Sequence, residues 1–182
     1  MTKNIFRELI VEWENFELPQ IKDRFVDPTK YIDWNAIKII PIIGFRRTGK
    51  TYLLFYVSKK SKEKSVYINF EDARLDPKNL KFDDFYYALR EIYGNQKLIL
   101  LLDEIQEIPN WSKWLRTLHN TFNYQIFVSG SSSKLSPLEI PTELRGRTLT
   151  IHLYPLSFKE FLSFKELDLK LLPEYSLLKE LR

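Results

Sequence analysis

Cysteine is absent from the chain, which excludes disulfides and thiolate-held metals and fits a reducing compartment. Histidine occurs only as His119 and His152, and neither has companions at ligand spacing, so no zinc arrangement is readable. Apolar runs are short. Leu98-Ile99-Leu100-Leu101-Leu102 has the length of a strand, far below what a bilayer requires. Met1-Thr2-Lys3-Asn4-Ile5-Phe6-Arg7-Glu8 carries acid early and has no apolar core, which argues against export. The expected location is the cytoplasm, without membrane association. Internal repeats and low-complexity segments are also missing. Glycine is scarce, with five in 182 residues.

Two of those five glycines close one stretch, Gly44-Phe45-Arg46-Arg47-Thr48-Gly49-Lys50-Thr51. It matches the phosphate-binding pattern G-x-x-x-x-G-K-[ST] without a mismatch. Ile39-Ile40-Pro41-Ile42-Ile43 before it reads as a short buried strand, and the apolar residues from Tyr52 to Val57 read as the start of a buried helix. Strand, tight loop and helix N-terminus together make an anion site, because unpaired N–H groups and the helix dipole converge there.

The second informative stretch is Lys97 to Glu104. An unbroken apolar run implies a strand buried on both faces, as in a parallel sheet covered by helices on each side. It ends in Asp103 and Glu104, where open α/β sheets bind their ligands. With a phosphate loop upstream, a carboxylate there holds Mg²⁺ with the loop hydroxyl of Thr51, and the next one polarises an attacking water. Asp103 is therefore assigned to magnesium and Glu104 to the water.

The remaining elements are placed around these two. Phe6, Leu9, Ile10, Trp13 and Phe16 predict an amphipathic helix ended by Pro19, with a second short helix near 28–37. Strands are expected at Val66–Phe70, Tyr124–Val128 and Leu149–Tyr154, and helices at 82–93, 111–121 and 158–165. The hydroxyls of Ser129 and Ser131 to Ser133 follow a strand, where they either meet a γ-phosphate or form a turn. Arg145 and Arg147 flank Gly146 near the sheet edge; they either reach a nucleotide, in this subunit or a neighbour, or form a surface ion pair. The net charge is +4 at 29% charged residues, which suits phosphate ligands but falls short of a nucleic-acid stripe.

These blocks in this order resemble the AAA-type ATPases common in archaea, within the P-loop NTPases. The resemblance rests on residues 44–51, Asn69-Phe70-Glu71-Asp72-Ala73-Arg74, Leu102-Asp103-Glu104-Ile105-Gln106, and Ser129-Gly130-Ser131-Ser132-Ser133-Lys134-Leu135. Its most specific part is Leu144-Arg145-Gly146-Arg147 followed by Tyr154-Pro155-Leu156-Ser157-Phe158-Lys159-Glu160-Phe161. It implies a three-layer αβα core with a mainly parallel five-stranded sheet of order 5-1-4-3-2. It further implies ATP and Mg²⁺ as ligands, bound by Gly44, Phe45, Arg46, Arg47, Thr48, Gly49, Lys50, Thr51 and Tyr52. Lys50 is expected on the β- and γ-phosphates, Thr51 and Asp103 on the metal, and Glu104 as base. Ser129 becomes a candidate γ-phosphate sensor, and Arg145 and Arg147 candidate arginine fingers. The expected organisation is a helical arm at 1–37, the ATPase core at 38–165, and the start of a truncated helical region at 166–182. Expected function is ATP hydrolysis. The alternative is a nucleotide-gated module holding DNA or a protein, as a homo-oligomer or through a C-terminal part beyond this chain.

Overall fold

The computed structural model describes residues 2–36, 39–122, 124–131, 135, 144 and 148–167. Five strands form one parallel sheet: β1 (Ile39–Gly44), β2 (Ser65–Asn69), β3 (Leu98–Asp103), β4 (Tyr124–Ser131) and β5 (Ile151–Leu153). Their spatial order is β2-β3-β4-β1-β5, which is the expected 5-1-4-3-2 read from the other edge. The helices are α1 (Thr2–Glu14), α2 (Lys50–Lys60), α3 (Phe82–Tyr93), α4 (Trp111–Thr121) and α5 (Phe158–Phe164). A parallel order of this kind requires crossovers, and α2, α3 and α4 supply them.

The layers follow from the period-two alternation of a strand. In β3, Leu98, Leu100 and Leu102 join one apolar cluster with Phe6 and Ile10 of α1, Phe85 and Leu89 of α3, and Leu115 and Leu118 of α4. Ile99 and Leu101 face the opposite side and pack with Leu53, Leu54 and Val57 of α2. Both faces of β3 are thus covered, and every residue of the strand is buried. Asp103 continues the α2-facing row, which aims its carboxylate at the start of α2.

Three elements differ from expectation. Helix α1 stops at Glu14, before Pro19, because Asn15 turns its side chain onto the Val11 carbonyl at 2.8 Å. The second N-terminal helix is only a single 3₁₀ turn, Pro28–Tyr31. Asp27 caps it by accepting from the Thr29 N–H, and Asp33 then draws the Asn35 N–H into a separate polar turn. Strand β4 runs on through Ser129, Gly130 and Ser131, all paired with β1, so these three residues are strand and not the turn after it.

Helix α1 straddles the β2 edge of the sheet. Phe6 and Ile10 lie in one cluster, whereas Trp13 packs against the other, and the Trp13 indole N–H donates to the Ser65 carbonyl at 3.0 Å. At the opposite edge, Ser157 and Glu160 form a capping box on α5. Glu160 also pairs with Arg24 at 2.7 Å and accepts from the Phe25 N–H at 3.0 Å, tying the N-terminal arm to the last helix.

Burial alone would push the Glu160 carboxyl up, but the hydrogen bonds from Arg24, Phe25 and Ser157 outweigh it and bring it down from 4.5 to about 2. Its folded value is depressed, so its stabilisation is complete above pH 4.5 and is lost as pH falls toward 2. Glu160→Gln should lower Tm by about 6 °C or more near neutral pH, because it leaves a buried guanidinium unpaired. The gap to wild type should narrow when thermal unfolding is repeated at about pH 3, where the wild-type carboxylate loses its advantage.

Candidate functional site

Strand β1 delivers the chain to the loop at Gly44. A Cβ there would meet the Leu153 carbonyl oxygen of β5 at 2.2 Å, so only glycine permits β5 to pair this closely. Gly49, at the N-terminus of α2, has φ +95° and offers no side chain to cap the helix. The first N–H groups of α2 therefore stay open to an anion, with the helix dipole behind them. Thr48, which is buried, closes the loop by donating to the Phe45 carbonyl at 2.9 Å.

Lys50 is only 6% exposed, and its ammonium spans the loop, donating to the carbonyls of Phe45 at 3.1 Å and Gly44 at 3.4 Å. The side chains of Phe45, Arg46, Arg47 and Tyr52 are exposed, so Phe45, Arg46 and Arg47 offer the site their backbone. Beside the loop and the first turns of α2 lies a cavity of about 400 Å³, walled by Ile21, Tyr52, Tyr56, Leu156 and Phe164 and rimmed by Lys22 and Arg24. Its mostly apolar wall and few cationic groups suit a flat heterocycle with phosphates attached.

The acidic half of the site stands at the end of β3. Asp103 is 2% exposed and accepts hydrogen bonds from three hydroxyls. Thr51 of α2 donates to Oδ2 at 2.7 Å, Tyr67 of β2 donates to the same oxygen at 2.8 Å, and Ser129 of β4 donates to Oδ1. Burial foremost, then the Asp103 charge, raises the Tyr67 phenol well above its ordinary value, so it stays protonated as a donor. Ser129 also accepts from the Glu104 N–H at 3.2 Å, which uses both faculties of one hydroxyl to lock the β3 terminus.

Glu104 has φ 51°, a left-handed turn that swings its side chain out of the strand row. Its carboxylate accepts from Gln106 Nε2 at 2.6 Å. The structure thus brings together the loop, Lys50, Thr51, Asp103, Glu104 and Ser129. Arg145 and Arg147 lie outside the described residues. Reading the sequence missed Tyr67, Gln106 and Arg24. Tyr67 was one residue among several β-formers, and only the pairing of Asn69 with Asp103 places it beside the acid.

The paired Thr51 hydroxyl and Asp103 carboxylate fit Mg²⁺, a hard cation that takes few protein oxygens and completes its shell with phosphate and water. Among the described residues no group of three His, Cys, Asp or Glu side chains could hold a metal ion.

The AAA domain family matches residues 36–162, which spans this loop, the acidic strand and all five strands. The chain belongs to the AAA domain family. This AAA domain is 42% identical over 171 residues to an uncharacterized protein of the archaeon Methanocaldococcus jannaschii, covering 92% of this chain and 37% of that protein. It is 36% identical over 148 residues to an uncharacterized protein of the bacterium Haemophilus influenzae, covering 76% of this chain and 36% of the relative. A second uncharacterized M. jannaschii protein is 34% identical over 160 residues, covering 83% and 32%. The chain spans between 32% and 37% of the length of these curated relatives. Among the described residues of the AAA domain, no helix is long and apolar enough to cross a membrane.

The contact at Gly44 generates a prediction. Gly44→Ala would drive a methyl group into backbone, which cannot swing aside as a side chain can. The expected cost is about 2 kcal/mol, seen as a fall of roughly 5 °C in Tm by calorimetry. An unchanged Tm would show that β5 does not lie against the loop.

Proposed function

We propose that this AAA domain binds ATP with Mg²⁺ on residues 44–51 and hydrolyses it. The observation that carries the reading is the meeting of Thr51 and Asp103 at 2.7 Å, with Lys50 at the loop and Glu104 next in the chain. One element ends the phosphate loop and another ends the acidic strand, and their polar tips share one hydrogen bond.

Each residue has a distinct task. The open N–H groups at the start of α2 receive phosphate oxygens, and the Lys50 ammonium, now held by loop carbonyls, transfers to them. Thr51 and Asp103 hold the metal, which supplies charge neutralisation on the phosphates when bound. Tyr67 and Ser129 orient the Asp103 carboxylate from either side. Glu104 accepts a proton from the attacking water. The Tyr52 and Tyr56 wall of the adjoining cavity receives the base.

The hold of Gln106 on Glu104 favours a second reading, a nucleotide-gated module with little turnover, because a carboxylate oxygen engaged by an amide is not free to meet a water until released. Both readings require nucleotide on the loop; they part at the rate of hydrolysis.

Lys50→Ala should weaken Mg·ATP binding on the order of a hundredfold in calorimetric titration, through loss of charge-assisted contacts to phosphate. Glu104→Gln should keep binding and lower phosphate release roughly a hundredfold or more. ATP affinity unaltered by Lys50→Ala would overturn the site. Wild-type binding with no phosphate release would select the gated module over the hydrolase.

A further inference from the structure

Arg24 belongs to the N-terminal arm and lies before the stretch that matches the family, yet it touches the phosphate loop. Its side chain is 12% exposed, and three of its N–H donors serve three separate parts of the chain. Nε donates to Glu160 Oε1 at 2.7 Å, NH2 donates to the Tyr154 carbonyl at 2.9 Å, and NH1 donates to the Thr48 carbonyl at 3.0 Å. Arginine holds such a fan of contacts because its donors are fixed in one plane, and Glu160 locks that plane in place.

The contact to Thr48 matters because of what lies across the peptide bond. The Thr48–Gly49 peptide is trans and planar, so its C=O and N–H point in opposite directions. With the carbonyl held on the Arg24 side, the Gly49 N–H is turned away from Arg24. Glycine on the far side of this peptide also offers little resistance to its flipping. Gly49 sits at φ +95°, and glycine populates positive and negative φ almost equally. A flip would exchange N–H for C=O and present a carbonyl oxygen to an incoming phosphate. NH1 of Arg24 lies 3.8 Å from where a Gly49 Cβ would be, close enough to guard that turn.

We propose that Arg24 is a positioning residue of the nucleotide site: it clamps the Thr48–Gly49 peptide so that the loop presents N–H groups to the phosphates. The arm is then part of the site, and the Arg24–Glu160 pair links the state of the loop to helix α5. This rests on the reading of residues 44–51 as a nucleotide loop.

The test uses protein labelled with ¹⁵N-glycine, whose five glycines give one signal each, with ATP and Mg²⁺ as the probe. In wild type, the Gly49 amide should shift on ATP addition. In Arg24→Ala, the Gly49 signal should already be moved or broadened in the free protein, and the ATP Kd should rise about tenfold. Arg24→Lys guards against a misfolded alanine variant. A lysine keeps the charge opposite Glu160 but has no fork to reach Thr48 as well, so it should lose ATP affinity while the other glycine signals stay in place. Glu160→Gln should lose stability but lose less ATP affinity than Arg24→Ala, because NH1 can still reach the Thr48 carbonyl once Nε has lost its charged partner.

Three results would overturn the proposal. Wild-type ATP affinity with an unmoved Gly49 signal in Arg24→Lys would sink it and leave the nucleotide site standing. Equal affinity losses in Glu160→Gln and Arg24→Ala would reduce Arg24 to a tether for α5. Failure of wild type to bind ATP would remove the nucleotide reading and the clamp with it.

Discussion

A carboxylate buried at the end of an apolar strand is the constraint on which this molecule depends. Placing an ionised Asp103 where it is 2% exposed costs on the order of several kcal/mol unless its oxygens are satisfied. Three hydroxyls satisfy them, and they come from β2, β4 and α2. Those elements are the two strands flanking β3 and the helix that follows the phosphate loop. The same carboxylate therefore holds the sheet in register at its ligand end and fixes the distance between loop and acid. Removing any one donor would leave a charge less well solvated, so the site and the fold share a common support.

The sheet explains why this arrangement is reachable. In β3 the α2-facing residues are Ile99, Leu101 and Asp103, so the acid is the polar end of an otherwise apolar row. Parallel pairing sets Asn69 of β2 opposite Asp103, and places the Tyr67 hydroxyl within reach of it. On the other flank, β4 pairs with both β3 and β1, and carries Ser129 toward the same carboxylate. Positioning of this kind comes from rigid strands rather than from loops, which is what a site demanding sub-ångström placement needs.

How much of this was legible in the sequence depended on whether a residue acts through local pattern. The loop, the buried strands and the helices at 82–93 and 111–121 announce themselves through glycine spacing, apolar runs and helical period, and the structure has them within a residue or two, apart from the longer β4. The strand order came from the family likeness and agrees with the sheet observed. Ser129 read as the residue after a strand because serine and glycine favour turns; tertiary pairing with β1 overrides that preference. The segment at 28–37 reads as a short helix, but the Asp27 and Asp33 side-chain bonds compete with the backbone ladder and leave a single 3₁₀ turn at Pro28–Tyr31. Tyr67 and Arg24 were silent for a different reason. Their contacts span 36 and 24 residues, and no local spacing encodes an encounter made only when the chain closes.

The seat of α1 on β2 has a consequence for the behaviour of the protein in a crowd of its own copies. Strand β2 is the outermost of its sheet on that side, and an outermost strand carries unpaired peptide groups that can recruit a strand from another molecule. The Trp13 indole occupies the Ser65 carbonyl, and its ring stacks with Phe16 and Phe55 alongside Tyr67 to build an aromatic shoulder there. Helix α1 thus covers part of the outer edge of β2 and leaves fewer peptide groups there for a strand of another copy to pair with, at one end of an arm whose other end lies against the loop at Thr48.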